Sequence, residues 1–214
     1  RFKNGRIESY SQNNKVNLVF KSDKIMLTDS ISLNNYFMYL VSKDKNTKYN
    51  LEWDNKTIPN NAGKLFGKIL FENNTATFSY ENVFLTAHDS TWKMITANNT
   101  IIDSSGALVV NPIVFANGNQ KLSVNGTLSN RPKDKLLIEL ADFDLNQLSP
   151  FFGKSLKVKG IVNGHVTLQK ALGNLAFSSK LNFNKLNLND NNLGEGELNT
   201  EYFTIDKYIY LNGY

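Results

Sequence analysis

Two histidines, His88 and His165, are the side chains best suited to chemistry near neutral pH. His165 falls in the polar set of an extended run, and His88 stands beside Asp89 in a turn. Neither has a second histidine or a carboxylate at ligand spacing, so no metal site is expected. The chain has no cysteine, which excludes thiolate ligands, a cysteine nucleophile and a disulfide framework. Asp142 and Asp144 read as turn and cap residues rather than an acid/base pair. No nucleophile-elbow, zincin, phosphate-loop or dinucleotide motif occurs. Four N-x-S/T sequons start at Asn55, Asn73, Asn98 and Asn125, but 32 of 214 residues are Asn, so chance accounts for them. The expectation is a protein that is not an enzyme and takes no cofactor.

The formal charge is +5, which raises the question of nucleic acid. The lysines are spread along strands and loops rather than gathered on a helix or arm, so no nucleic-acid partner is expected. Mild attraction to anionic headgroups is the residual role for this charge. Hydrophobic residues make up 41% and charged residues 20%, the balance of a globular domain. Abundant Asn and a large excess of Lys over Arg read as an AT-rich bacterial genome. No apolar run approaches the ~18 residues of a membrane helix. The chain reads as one continuous segment, 1–214, of a longer protein, with a sub-boundary near 130–153.

The elements that carry these residues are strands. In Leu156–Lys170 one alternate set is Leu156, Val158, Gly160, Val162, Gly164, Val166 and Leu168. The other set is polar apart from Ile161, so the run is a β-strand with one dry face. Burying its five aliphatic side chains is worth roughly 7–15 kcal/mol, and something must cover them. Lys121–Ser129 is a shorter copy, with Leu122, Val124, Gly126 and Leu128 on one side. Leu136, Ile138 and Leu140 alternate in a third strand, and Leu181 and Phe183 in a fourth. The glycines Gly126, Gly160 and Gly164 lie in phase with the apolar faces, where they either bend the strand or clear space for something passing close.

The rest of the chain reads as short strands, some fifteen in all, split by turns at Asn73-Asn74, Asn98-Asn99 and Asn189–Asn192. Thr57–Gly63 is a loop, and Gly194–Gly196 a flexible step. The apolar phase flips at Asn184-Lys185, as a bulge would cause. Tyr36–Val41 is an unbroken apolar run. A single helix signal covers Asp144–Phe152. Asp144 is the N-cap, Gln147 a capping-box partner, and Phe143 with Leu148 a hydrophobic staple. Pro150 and Gly153 end it, leaving Phe151 and Phe152 as an aromatic pair. This element either caps the core or plugs an apolar groove.

Three covers for the apolar face remain open. They are a second sheet, a bilayer around a barrel, and a bound lipid in an open groove. The strands look too short for a membrane barrel and lack aromatic girdles.

The acidic, apolar run Asp142–Phe152, the alternating Gly160–Leu168 strand and the later Asn192–Gly196 resemble the TamB family of bacterial envelope proteins, with its AsmA-like and bridge-like lipid-transfer relatives. The resemblance implies an all-β fold, a long curved sheet forming an open hydrophobic trough or β-taco, with one short helix near 144–152. It also implies a periplasmic location, with the parent protein anchored in the inner membrane through a segment outside this chain. An insertase-type barrel of the outer membrane would be a partner, and phospholipid acyl chains the cargo. The acyl chains would lie along Leu122, Val124, Leu128, Leu136, Ile138 and Leu140 on two strands, and along Leu156, Val158, Val162, Val166, Leu168, Leu181 and Phe183 on the next two. With such an open wall, Asp at Val162 or Val166 should block transfer while sparing expression. Two other classes of function are an assembly chaperone that takes up barrel strands at a sheet edge, and a structural array such as an adhesin stalk.

Overall fold

The computed structural model of the chain describes residues 1–26, 32–56, 61–87, 89–148, 156–170, 173–203 and 208–213. Among the described residues sixteen strands form one sheet. The first eight are β1 (Phe2–Lys3), β2 (Arg6–Gln12), β3 (Lys15–Met26), β4 (Ser32–Lys43), β5 (Asn46–Asp54), β6 (Asn61–Glu72), β7 (Thr75–Ala87) and β8 (Ser90–Ala97). The others are β9 (Thr100–Ile102), β10 (Leu108–Asn117), β11 (Gln120–Leu128), β12 (Lys135–Asp144), β13 (Val158–Gln169), β14 (Ala176–Leu188), β15 (Asn191–Phe203) and β16 (Tyr208–Gly213). A single turn of 3-10 helix, Leu145–Leu148, follows β12.

Every recorded strand pairing is antiparallel, and neighbours in the sheet follow chain order. β1 and β2 share one edge of β3, and β8 and β9 together fill the place between β7 and β10. The path through the sheet therefore has 14 strand positions, about 60 Å at ~4.8 Å each. Among the described residues no second sheet faces it.

Asparagine does much of the turning. Asn13-Asn14, Asn73-Asn74 and Asn189-Asp190 join consecutive strands with both residues at positive φ, between 48° and 67°. Two such residues in succession build the hairpin turn whose twist matches the strands on either side.

The strands are longer than their apolar patterns indicate. The pieces around Val16–Phe20 and Ile25 form one strand, β3, and the pieces on either side of Tyr80–Val83 form β7. β10 runs through Pro112, with a register shift between Val110 and Ile113. β14 runs through Asn184-Lys185, with register shifts against β15 between Phe183 and Asn187. In each case a bulge changes the phase of the side chains without ending the pairing. The Thr57–Gly63 loop also gives way, because β6 begins at Asn61, and Gly194–Gly196 lies inside β15. Most strands thus reach 9–13 residues, so short strands are no ground against a barrel. The helix is a single turn. Its predicted extension to Phe152, with Pro150, the Phe151-Phe152 pair and Gly153, lies outside the described residues, as does His88.

The two halves of the sheet differ. From β10 to β14 one face is mainly apolar, and the other mixes polar residues with Val109, Val114, Leu137 and Ile161. In β4 both faces are apolar, with Met38 and Leu40 on one side and Phe37, Tyr39 and Val41 on the other. That is why its alternation cannot be read from the sequence. Two aromatic rings cover glycines across the first half: Trp53 pairs with Gly63 and Tyr49 with Gly67. A Cβ on either glycine would fall within 2.6 Å of the facing side chain. Tyr49 is buried, and its hydroxyl donates to the Ser79 carbonyl at 3.1 Å. Burial pushes this phenol up to about 12, and the neighbouring Tyr80 and Glu81 add to the shift. The folded state therefore holds the proton more tightly than the unfolded chain. The stability this provides is complete below the ordinary value of 10.0 and is lost as pH rises towards 12. Spectrophotometric titration should show a tyrosinate step near pH 12 that is missing in Tyr49→Phe.

Candidate functional site

The antiparallel register places directly paired residues on one face, so the apolar sets join into rungs across neighbouring strands. One rung runs Val110, Gly126, Leu136, Leu168, Phe177. The next runs Ile113, Val124, Ile138, Val166, Ser179. A third runs Phe115, Leu122, Leu140, Gly164, Leu181. Phe143, Val162 and Phe183 make a fourth, Val158 pairs with Leu188, and Leu128 pairs with Leu108. The opposite face carries Ser123, Glu139, His165 and Lys180 in register. Ser123 donates to Glu139 at 3.0 Å on that face.

Of the thirteen side chains expected to line a groove, twelve lie on these rungs. Leu156 does not, because β13 begins at Val158 and Leu156 is exposed ahead of it. Leu136, Val158 and Val162 are buried. Leu122, Val124, Leu128, Ile138, Leu140, Val166, Leu168, Leu181 and Phe183 are half-buried. Leu136 packs with Val110 and Ile113, and Val124, Leu128 and Leu168 lie against them. Val158 and Val162 pack with Trp92, Phe143 and Leu145, and Leu122, Leu140, Leu181 and Phe183 lie against those.

The wall is not uniformly open. Val162 is only 1% exposed, whereas Val166, on the same face of the same strand, is half-buried. The expectation that Asp would be tolerated at Val162 is therefore corrected, because the site has no solvent to receive a carboxylate. Val166 is the position where it would be tolerated.

The glycines stand where the backbones of paired strands approach closely. Gly126, Gly160 and Gly164 have φ of 110°, 129° and 139°, a region that suits glycine. A Cβ at Gly164 would lie 2.1 Å from the Lys180 carbonyl oxygen, and one at Gly126 would lie 2.2 Å from that of Lys135. At Gly160 the Lys185 oxygen would be 2.9 Å away. The neighbouring strand's backbone lies where a Cβ would stand, so each of these positions suits glycine alone.

Trp92 shows that the sheet is curved. It stands on β8 and Phe143 on β12, three strand positions apart in the sheet, or ~14 Å if the sheet were flat. Their ring centroids are 5.5 Å apart with the planes stacked. The apolar face is therefore concave here, and the two rings lean together over the β10–β11 hairpin. The 3-10 turn lies against them, with Leu145 buried and Leu148 packed on the same cluster.

Asp144 caps this turn through its Oδ1, which accepts from the Asn146 N–H at 2.9 Å. Gln147 does not complete a capping box. Its Oε1 accepts from Trp92 Nε1 at 2.7 Å, and its Nε2 donates to Gln120 Oε1 at 2.8 Å. Gln120 Oε1 also accepts the Asp144 N–H at 2.9 Å, which is the bond Gln147 would have made. Nothing in the local pattern marks Trp92 or Gln120, whose partners stand 55 and 27 residues away. The sequence signals at this place are the cap residues Asp144 and Gln147 and the hydrophobic pair Phe143 and Leu148 around them.

Among the described residues no group of three or more His, Asp or Glu could hold a metal ion, and no helix is long and apolar enough to cross a membrane. No family model, curated protein or solved structure matches this chain.

Proposed function

We propose that the concave apolar face is a trough for the acyl chains of phospholipids. On this reading the chain is a periplasmic segment of a bridge-like protein that carries lipid between the inner and outer membranes and so supports outer-membrane biogenesis. The observation that carries the reading is the set of half-buried aliphatic rungs on β11–β14, on a concave face that no other described sheet opposes. A bilayer around the sheet would instead meet Glu139, His165 and Lys180 on the convex face, which is the wrong way round for a membrane barrel. Each buried CH2 is worth about 0.8 kcal/mol without directional preference, so a chain held this way can slide. Headgroups stay in water at the open margin. The envelope location, the inner-membrane anchor and the outer-membrane insertase partner follow from the TamB resemblance.

Native mass spectrometry of the purified chain should show bound phospholipid. Val166→Asp should lose it while keeping the strand signal in circular dichroism. A well-folded Val166→Asp that retains lipid at the wild-type level would sink the trough.

A further inference from the structure

We propose that Trp92, Gln120 and Gln147 form a latch that holds the Leu145–Leu148 turn down on the trough, and that its release admits a fatty acyl chain to the place those leucines occupy. The inference rests on the lipid reading above and adds a gate to it.

The contrast between Val162 and Val166 points to the gate. Both face the concave side of β13, and what separates them is the cover that Leu145, Leu148, Phe143 and Trp92 lay over Val162. Beneath that cover, Val158, Val162, Leu181 and Phe183 continue the same apolar face. Leu145 and Leu148 present branched hydrocarbon to it, so an acyl chain could take their place with like contacts.

The cover is fastened by polar groups. Two amides and an indole N–H are bonded to one another beside an apolar cluster, with Gln147 only 6% exposed and Gln120 half-buried. All are uncharged, so they can exchange these bonds for water without stranding an ion. A permanent plug would be better served by aliphatic packing. The backbone also has a place to turn. Asp142 sits at φ 50°, where the register shifts between Leu140 and Phe143, and its N–H is held by Asn163 Oδ1 at 2.8 Å.

The chain has no cysteine, so Gln120→Cys/Gln147→Cys gives one protein in two states. As free thiols the latch is broken, and bridged with a short bismaleimide the turn is locked. The probe is a diazirine-bearing fatty acid, with adducts mapped by mass spectrometry. Adducts at Val158–Val162 should be about tenfold more abundant in the thiol form than in the bridged form, since unlatching raises the competent fraction. Adducts around Ile138 and Val166 should be the same in both. Equal labelling of Val158–Val162 in both forms, or none in either while Val166 labels, overturns the latch and leaves the trough standing. No labelling anywhere, wild type included, overturns the lipid reading and the latch with it. Trp92→Phe keeps a ring on Phe143 and removes only the indole donor. It should shift labelling in the same direction if the cysteine pair fails to fold.

Discussion

Gly164→Ala should cost about 3–5 kcal/mol of folding stability, enough to leave much of the chain unfolded. Two penalties combine at this position. The backbone stands at φ 139°, which an L side chain rarely adopts, and the new methyl would meet the Lys180 carbonyl oxygen at 2.1 Å. That oxygen belongs to the paired backbone of β14, so it cannot swing aside as a side chain would. Gly118→Ala is the matched control. It has φ 58° in the β10–β11 turn and nothing within 4 Å of a Cβ, so its cost should stay near 1 kcal/mol. Urea unfolding of the two variants measures the difference. A Gly164→Ala protein within about 1 kcal/mol of wild type would mean that the approach of β14 to this position relaxes at little cost.

Val162→Asp should fail to accumulate as folded protein, although Val166→Asp folds. The two valines are four residues apart on one strand and share a face, so strand propensity and charge change are matched. The difference is water. Val162 is 1% exposed, among Trp92, Phe143, Leu145 and Val158. A carboxylate there must lose its hydration or take up a proton, and either way the loss exceeds about 4 kcal/mol. Val166, beside Ile138 and Ser179, keeps contact with solvent through which an aspartate can stay hydrated. Soluble yield and thermal melting of the pair provide the test. Equal melting points would show that the turn over Val162 is open in solution.

Much of the trough wall could be read before any coordinates existed. A strand repeats every two residues, so the alternation of Val158, Val162, Val166 and Leu168 with polar neighbours assigns a face from nearest neighbours alone. Leu122–Leu128 and Leu136–Leu140 follow by the same rule. Asn-Asn pairs mark hairpins because they tolerate positive φ, and the glycines show that something special happens on the apolar side. Each of these signals is local, and each lies within about a dozen residues of chain.

What the tertiary structure alone decided is long-range. Bulges merge pieces such as Ala76–Tyr80 and Val83–Ala87 into one strand, because pairing with β6 continues while the phase slips. The three glycines have the same pattern whether they clear space or bend a strand. Only the carbonyls of Lys135, Lys180 and Lys185 show that the paired strand's backbone stands where a side chain would begin. Curvature then brings Trp92 to Phe143, and the turn after β12 brings Gln147 to Gln120 on the neighbouring strand, closing part of a face that alternation by itself would leave open throughout. Alternation is a property of one strand, and the sequence determined it. Closure depends on how far 14 neighbouring strand positions twist and coil together, a sum of many small backbone angles that no single stretch of residues encodes.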